Sequence, residues 1–162
     1  MTTSDHPDRV EHRIERTYEV PATPEEVWDT IATADGISAW MVPTRLDPQA
    51  GGAVSFDVGD FVSHGIVTDY SPPGRFAYAE PWPVAEGMPT SGRDLSSLSP
   101  IATEFLVESA SGGSSVIRIV TSAYGTGADW EREFFTEMGE GVIAMFDQLA
   151  KHLGGAATEI AR

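Results

Sequence analysis

Cysteine is absent from this sequence, and lysine occurs once, as Lys151. Without cysteine the chain has no disulfide bonds, no thiol catalysis and no cysteine-ligated metal site. Only 10 basic residues accompany 25 acidic ones, which gives a formal net charge of -15 at pH 7. Because such a chain repels a polyanion and has no basic stripe to bind one, we expect no nucleic-acid partner.

Long hydrophobic runs are also missing. No apolar segment approaches the roughly 20 residues that a membrane-spanning helix needs, so we expect no membrane insertion. The N-terminal residues, MTTSDHPDRVEHR, carry charges of both signs, and no apolar segment follows them as it would in a secretory signal. These features predict a cytoplasmic protein.

The chain has the length of one domain, at 162 residues, and no shift in composition marks a second. Residues 1–10 are polar and contain a proline, which predicts a flexible N-terminal tail. A single domain is predicted over residues 11–155, followed by a C-terminal tail at 156–162. Within the domain, residues 81–100 hold four prolines and two glycines, which is typical of a long inserted loop.

The first half of the domain carries one strand signal and one helix signal. Polar and apolar residues alternate over 12–20, as in a strand with one solvent-facing side. Thr23, Pro24 and Glu26 then supply an N-cap, a first-turn proline and a capping-box glutamate. Because Gly36 interrupts the helical spacing soon afterwards, we expect two short helices rather than one.

The second half predicts a sheet and a long helix. Short apolar runs separated by turn residues over 42–120 predict a meander of antiparallel strands. Residues 129–153 carry apolar side chains at helical spacing, in a helix about 37 Å long that needs the inner face of a sheet as cover. Gly139 and Gly141, at its centre, allow either a kink that leaves room beneath the helix or a close contact with a strand. The predicted fold is α+β, with a curved antiparallel sheet around the C-terminal helix and a largely apolar cavity between them.

Several motifs occur in the order typical of one superfamily. Residues 16–28, RTYEVPATPEEVW, lead an arginine-bearing strand into a proline–glutamate helix start and a tryptophan. A double glycine at 51–52 precedes a strand, and residues 65–76, GIVTDYSPPGRF, turn through a diproline into an arginine-led strand. Over most of its length the sequence therefore resembles the SRPBCC superfamily, which includes START and birch pollen allergen proteins. The resemblance is to the branch related to activators of the heat-shock chaperone ATPase, and it implies a helix-grip fold with two short helices between the first two strands.

Candidate ligand-binding residues follow from strand alternation, from the helix face and from the segments that close the cavity mouth in this fold. Most inward-facing apolar side chains simply fill a core, so each candidate also has a structural interpretation. Arg16 shares a strand face with Ile14 and Tyr18, and it either pairs with Glu80 or orients a ligand carboxylate. His64 lacks the spacing of a metal motif and is expected at the surface or at a cap, unless it orients the ligand. The predicted ligand-binding residues are Arg16, Trp40, Met41, Phe56, His64, Tyr78, Glu80, Trp82, Phe105, Ile119, Phe135, Met138 and Val142.

Three functions are compatible with these features. The first is binding of a small hydrophobic or aromatic molecule in the cavity. The second, implied by the resemblance, is an enzyme of the polyketide cyclase or hydrolase type that uses the same cavity and needs two or more titratable groups there. The third is a chaperone ATPase activator-like role through a surface contact.

Binding is favoured over catalysis, because the sequence has no nucleophile elbow, phosphate loop, dinucleotide fingerprint or zinc motif. We accordingly predict no catalytic residue, no metal and no cofactor. The expected partner is a small apolar molecule. Assembly into a homodimer through an edge strand or through the 81–100 loop is a further hypothesis.

Overall fold

The computed structural model of the chain describes residues 9–84 and 87–154. Over these residues it has the predicted α+β helix-grip architecture, in which two short helices follow the first strand and a long helix ends the domain. A single 3-10 turn, Ser111–Gly113, joins the last two strands. The elements in chain order are β1 (Val10–Val20), α1 (Pro24–Ile31), α2 (Ala34–Trp40), β2 (Thr44–Leu46), β3 (Ala53–Asp57), β4 (Val62–Ser71), β5 (Arg75–Glu80), β6 (Ile101–Ser109), β7 (Ser115–Gly125) and α3 (Asp129–His152).

The seven strands form one antiparallel sheet in the order β1-β7-β6-β5-β4-β3-β2. The strands from β2 to β7 pair with their neighbours in sequence, and β1 closes the sheet by pairing along its whole length with β7. The predicted inserted loop connects β5 to β6, and its described residues form turns without a helix or strand. The boundaries of the domain stay a prediction, because residues 1–8 and 155–162 lie outside the described part of the chain.

The two short helices form as predicted, although the break between them lies earlier than expected. Thr23 and Glu26 make a reciprocal capping box at the start of α1. The chain then leaves the helix at Ala32, and the Thr33 hydroxyl caps α2 by accepting a hydrogen bond from the Gly36 amide. Gly36 lies inside α2, where a Cβ atom would stand 2.0 Å from the Asp29 carbonyl oxygen. The glycine therefore allows α2 to fold back against α1.

Two clusters of buried side chains fix α3 on the sheet. The larger cluster joins Phe146 and Leu149 to the inner face of the strands, and there the Tyr18 hydroxyl donates a hydrogen bond of 2.8 Å to Asp147. The smaller cluster, near the start of α3, contains Phe134 and Phe135 together with Trp82, Ile101 and Ala123. The helix is thus held at both ends, and its middle section lies between the two clusters.

A buried contact between Glu131 and His12 reinforces the smaller cluster. The Glu131 side chain is 1% exposed and lies 2.9 Å from Nε2 of His12. It also accepts hydrogen bonds from the Thr126 amide and hydroxyl and from the Gly127 amide. Burial raises the pKa of Glu131, but these hydrogen bonds outweigh burial and bring the pKa down to about 2. The carboxylate therefore stays ionised inside the protein.

The two central glycines of α3 have different surroundings. Gly139 is buried, and a Cβ atom there would stand 3.2 Å from Cδ1 of Ile14 on β1, which fits the close-contact interpretation. Gly141 is exposed, and a Cβ atom there would meet nothing within 4 Å. The helix runs through both positions without a break. Only Gly139 therefore faces the sheet.

Gly65 on β4 offers a test of the sheet packing. A Cβ atom at this position would stand 2.5 Å from the Ala79 carbonyl oxygen and 3.3 Å from Cγ of Glu80. We expect Gly65→Ala to force β4 and β5 apart and to lower the free energy of unfolding by about 1–3 kcal/mol. Gly141→Ala is the matched control, because its side chain enters open space and improves helix propensity by about 1 kcal/mol. Chemical denaturation of both variants measures the two changes, and equal stabilities would contradict this account.

Candidate functional site

A cavity of about 180 Å³ lies between the inner face of the sheet and the middle of α3. One side of it is formed by α3 through Met138, Val142, Met145 and Phe146, which share a helix face. The end of α2 contributes Trp40 and the following Met41. The Trp40 indole is fixed in place because its Nε1 donates a hydrogen bond to the Thr30 carbonyl oxygen at 2.9 Å.

The strands supply the other side of the cavity, mainly through aromatic rings. The Phe56 and Tyr78 rings lie 5.1 Å apart, and Tyr78 and Phe105 lie 6.5 Å apart, measured between ring centroids. Val58 and Pro81, which also line the cavity, are exposed and mark its opening to solvent. The remaining lining residues are Phe61, Ser63, Glu80, Pro83, Ile101, Thr103 and Thr121.

A row of hydroxyl groups crosses the cavity floor. Tyr78, Thr103 and Thr121 stand side by side on β5, β6 and β7, and the two threonine hydroxyls are 3.1 Å apart. Burial raises the pKa of the Tyr78 phenol above its ordinary value, and the nearby Glu80 adds to this rise, while a hydrogen bond with Thr103 opposes it. The phenol is therefore neutral at physiological pH.

Glu80 is the carboxyl group of the cavity. The Ser63 hydroxyl donates a hydrogen bond of 2.6 Å to its Oε1 atom, and the side chain passes over Gly65, where any Cβ atom would crowd it. Burial raises the pKa of Glu80, and the hydrogen bond from Ser63 opposes this rise. Within residues 9–84 and 87–154, no arginine, lysine or histidine lines the cavity. Glu80 therefore has no cationic partner there.

The structure brings eight of the thirteen predicted ligand-binding residues together around the cavity, whereas five lie elsewhere. Whether any of them contacts a ligand stays a prediction. The eight lining residues are Trp40, Met41, Phe56, Tyr78, Glu80, Phe105, Met138 and Val142. The five that lie elsewhere are Arg16, His64, Trp82, Ile119 and Phe135.

The predicted pairing of Arg16 with Glu80 is wrong, because the strand register separates them. Arg16 on β1 lies in the row of Ile119, Phe105 and Phe76. Glu80 is on β5, three strands away or about 14 Å across the sheet, and four residues further along its strand than Phe76. Arg16 is half-buried and donates a hydrogen bond to the Glu15 carbonyl oxygen instead.

The other four residues outside the cavity are at the surface or in the core. His64 is exposed on the outer face of β4, opposite Ser55, as its structural interpretation expected. Trp82 and Phe135 are buried in the smaller cluster, where Trp82 Nε1 donates a hydrogen bond to the Ser99 carbonyl oxygen at 2.7 Å. Ile119 is fully buried in the larger cluster. Packing interactions account for Trp82, Phe135 and Ile119.

Sequence reasoning missed the serine and threonine hydroxyl groups of the cavity, although it included the Tyr78 phenol. Thr103 lies two residues from Phe105 and Thr121 two residues from Ile119, so strand alternation could have placed both on the inner face. Ser63 had no such signal, because its role depends on the register of β4 against β5, which shifts between Val67 and Asp69. Met145 and Phe146 continue the apolar face of the helix and could have been included on spacing alone.

The described residues contain neither a metal-binding cluster nor a membrane-spanning helix. No group of three or more histidine, aspartate or glutamate side chains in them is arranged to hold a metal ion. In the same ranges, no helix combines the length and apolar character needed to cross a membrane. The cavity therefore remains the candidate site on which the functional interpretation depends.

Comparison with solved structures identifies similar folds at low sequence identity. Protein MLL2253 from Mesorhizobium loti superposes with a TM-score of 0.70 at 14% identity, over 88% of this chain and 97% of that one. Ara h 8.0201 superposes with a TM-score of 0.63 at 10% identity, over 89% and 98%. The Aha1 dimer from Colwellia psychrerythraea gives 0.53 at 18% identity, over 88% and 96%. At these identities the likeness concerns the fold.

The sequence itself matches a family model. Residues 21–154 match the model described as activator of Hsp90 ATPase homolog 1-like protein, which spans most of the chain. No curated protein matches the sequence. The family match agrees with the motif order in the first half of the chain and with the fold of the solved structures. The chain therefore belongs to the activator of Hsp90 ATPase homolog 1-like family, within the SRPBCC superfamily.

Proposed function

We propose that this protein binds a small hydrophobic molecule with an aromatic body in the cavity between the sheet and α3. The observation that carries the proposal is the cavity itself, which is mostly apolar and has its few polar groups gathered on the strand side. Ligand sites typically combine an apolar lining with a small number of placed polar groups. A cavity of roughly 150 Å³ is known to hold benzene, so about 180 Å³ suits a ligand body of one or two rings.

The cost of keeping this space open supports a binding role. The side chains around an open space lose packing contacts that they would have in a filled core, which costs stability. A larger side chain at Val142 or at Thr121 would remove much of that cost. Occupation by a ligand offsets it instead, because the ligand restores the missing contacts.

Catalysis of the polyketide cyclase or hydrolase type receives less support. That hypothesis required two or more titratable groups in the cavity, and Arg16 and His64 lie outside it. Tyr78 and Glu80 are the titratable groups among the described lining residues, and burial raises the pKa of both. Glu80 could act as an acid or a base, but the Tyr78 phenol stays neutral near pH 7, so no second group is poised beside Glu80. The geometry therefore favours binding.

Activation of the Hsp90 ATPase, which the family description names, would use a surface contact and leave the cavity without a role. The cavity therefore favours ligand binding over this alternative. Assembly into a homodimer also stays a hypothesis. The similar structure from Colwellia psychrerythraea is described as a dimer. Either edge strand, β1 or β2, offers unpaired backbone groups for such an association.

Filling the cavity tests the proposal. We expect 6-propionyl-2-(dimethylamino)naphthalene, a neutral dye with a two-ring aromatic body, to gain fluorescence when it binds the wild-type protein. Val142→Trp places an indole in the cavity, and we expect it to weaken dye binding at least tenfold. Fluorescence titration measures both affinities. Native mass spectrometry of freshly purified protein would also reveal a copurifying small molecule, which the variant should lose.

Ile143→Trp is the matched control for this experiment. The residue neighbours Val142 in sequence but lines a shallow cleft between β1 and α3 rather than the cavity. We expect this variant to bind the dye with wild-type affinity. Equal weakening by both substitutions would show that the dye does not report on the cavity, and unchanged binding by Val142→Trp would overturn the proposal.

Glu80 and Glu131 should respond oppositely to neutralisation. The folded-state pKa of Glu80 is raised, so its ionisation destabilises the fold as pH rises through that pKa. Glu80→Gln should therefore be more stable than wild type at pH 7, with the difference vanishing below about pH 4. The pKa of Glu131 is lowered to about 2, so its contribution is present above pH 4.5 and lost as pH falls towards 2.

Glu131→Gln should accordingly destabilise the protein at pH 7 by about 1–3 kcal/mol, because it weakens hydrogen bonds to a charged acceptor. Urea unfolding of both variants at pH 4 and pH 7 gives the comparison. A loss of stability in Glu80→Gln at pH 7 would contradict the assignment of Glu80 as a buried carboxyl group without a cation.

A further inference from the structure

The charge balance of the cavity indicates which ligands it accepts. Glu80 is the one acidic side chain among the described residues that line it, and no arginine, lysine or histidine accompanies it there. Tyr78 is the other titratable group, and its phenol stays neutral. A carboxylate ligand would therefore meet an acidic group and no cation. Anionic ligands are disfavoured on electrostatic grounds.

The carboxyl group of Glu80 has unused bonding capacity. Its Oε1 atom accepts one hydrogen bond, from Ser63 at 2.6 Å, and no other hydrogen bond or ion pair reaches the side chain from the described residues. A carboxylate can accept about four hydrogen bonds. Since a buried carboxylate without a partner is costly, a cation that enters the cavity would gain a strong charge-assisted contact.

Aromatic rings line the same cavity as Glu80. Tyr78 precedes Glu80 by two residues on the same face of β5, about 7 Å away along the strand. Six aromatic side chains line the cavity in all, namely Trp40, Phe56, Phe61, Tyr78, Phe105 and Phe146. An ammonium group close to aromatic faces gains about 0.5–2 kcal/mol from cation–π attraction.

The net charge of the whole protein also favours a cationic ligand. With a net charge of -15 and one lysine, it carries a negative potential that concentrates cations near its surface. Several arginines are already paired with acidic groups on the outer face of the sheet. Arg75 pairs with Asp69 and Glu104, and Arg118 pairs with Glu15.

We propose that the ligand of this cavity is an aralkylamine, an aromatic ring that carries an aliphatic amine on a short carbon chain. Its protonated nitrogen pairs with Glu80, and its ring packs among the aromatic side chains. This inference rests on the proposed function, because it names the class of molecule that the cavity binds. The ammonium donates a hydrogen bond to the free oxygen of the Glu80 carboxylate, while Ser63 continues to donate to the other.

Binding of this kind displaces a proton. Because burial raises the pKa of Glu80, the empty cavity shifts its carboxyl group towards the protonated form. Pairing with an ammonium favours the carboxylate, so a proton held on Glu80 is released to the buffer as the amine binds. Up to one proton per cavity leaves, and the amine keeps its own. A neutral ligand that accepts a hydrogen bond from the acid would release none.

Three compounds of similar size distinguish a cationic, a neutral and an anionic ligand. They are 2-phenylethylamine, 2-phenylethanol and phenylacetate. We expect the amine to bind the full-length protein at least tenfold more tightly than the alcohol, and phenylacetate to bind more weakly than both. Isothermal titration calorimetry of the amine, in two buffers with different ionisation enthalpies, measures the released proton. Glu80→Gln should lower the affinity for the amine to about that of the wild-type protein for the alcohol.

Glu137→Gln is the matched control, because it removes one negative charge from an exposed position on α3 next to Met138. It should leave the affinity for the amine within about twofold of wild type. Tighter binding of the alcohol or of phenylacetate, or an undiminished amine affinity in Glu80→Gln, would overturn the amine assignment while leaving the cavity as a binding site. Failure of all three compounds and of the neutral dye to bind would instead overturn the proposed function.

Discussion

The structure depends on the burial of one face of α3, since a helix of 24 residues with an apolar face is not stable alone in water. The sheet meets this requirement only when β1, from the start of the chain, pairs with β7, just before the helix. That pairing brings Tyr18 and Ile14 beneath α3, where they contact its two halves. The pairing of β1 with β7 and the packing of α3 therefore stabilise each other.

Local signals were sufficient to predict this architecture. The capping box at Thr23 and the apolar spacing of α3 each reflect interactions within a few residues, so the sequence displays them directly. The break between α1 and α2 was placed too late, because Gly36 was interpreted as a helix breaker. Its real contribution is the space that it leaves for the Asp29 carbonyl group, which is a contact between two helices and not a local preference.

The candidate site was predicted less completely, because its chemistry depends on which strands are neighbours. Alternation placed Arg16 and Glu80 on the inner face, but it could not show that β7 and β6 lie between their strands. The contact between Ser63 and Glu80 requires the register of β4 against β5 and the absence of a side chain at Gly65. Such cross-strand relations are properties of the folded sheet and have no counterpart in the spacing of residues along the chain.

The same packing that holds α3 also keeps the cavity open. One end of the helix is fixed by Phe146, Leu149 and the Tyr18–Asp147 hydrogen bond, and the other by the Glu131–His12 pair. With both ends fixed, the middle of the helix cannot move onto the sheet to close the space beneath it. A carboxyl group in that space, without a cation, conflicts with the apolar surroundings that the fold otherwise maintains. Such local conflicts are expected where function, rather than stability, determines the residue, and Glu80 is therefore the part of the cavity that stability does not explain.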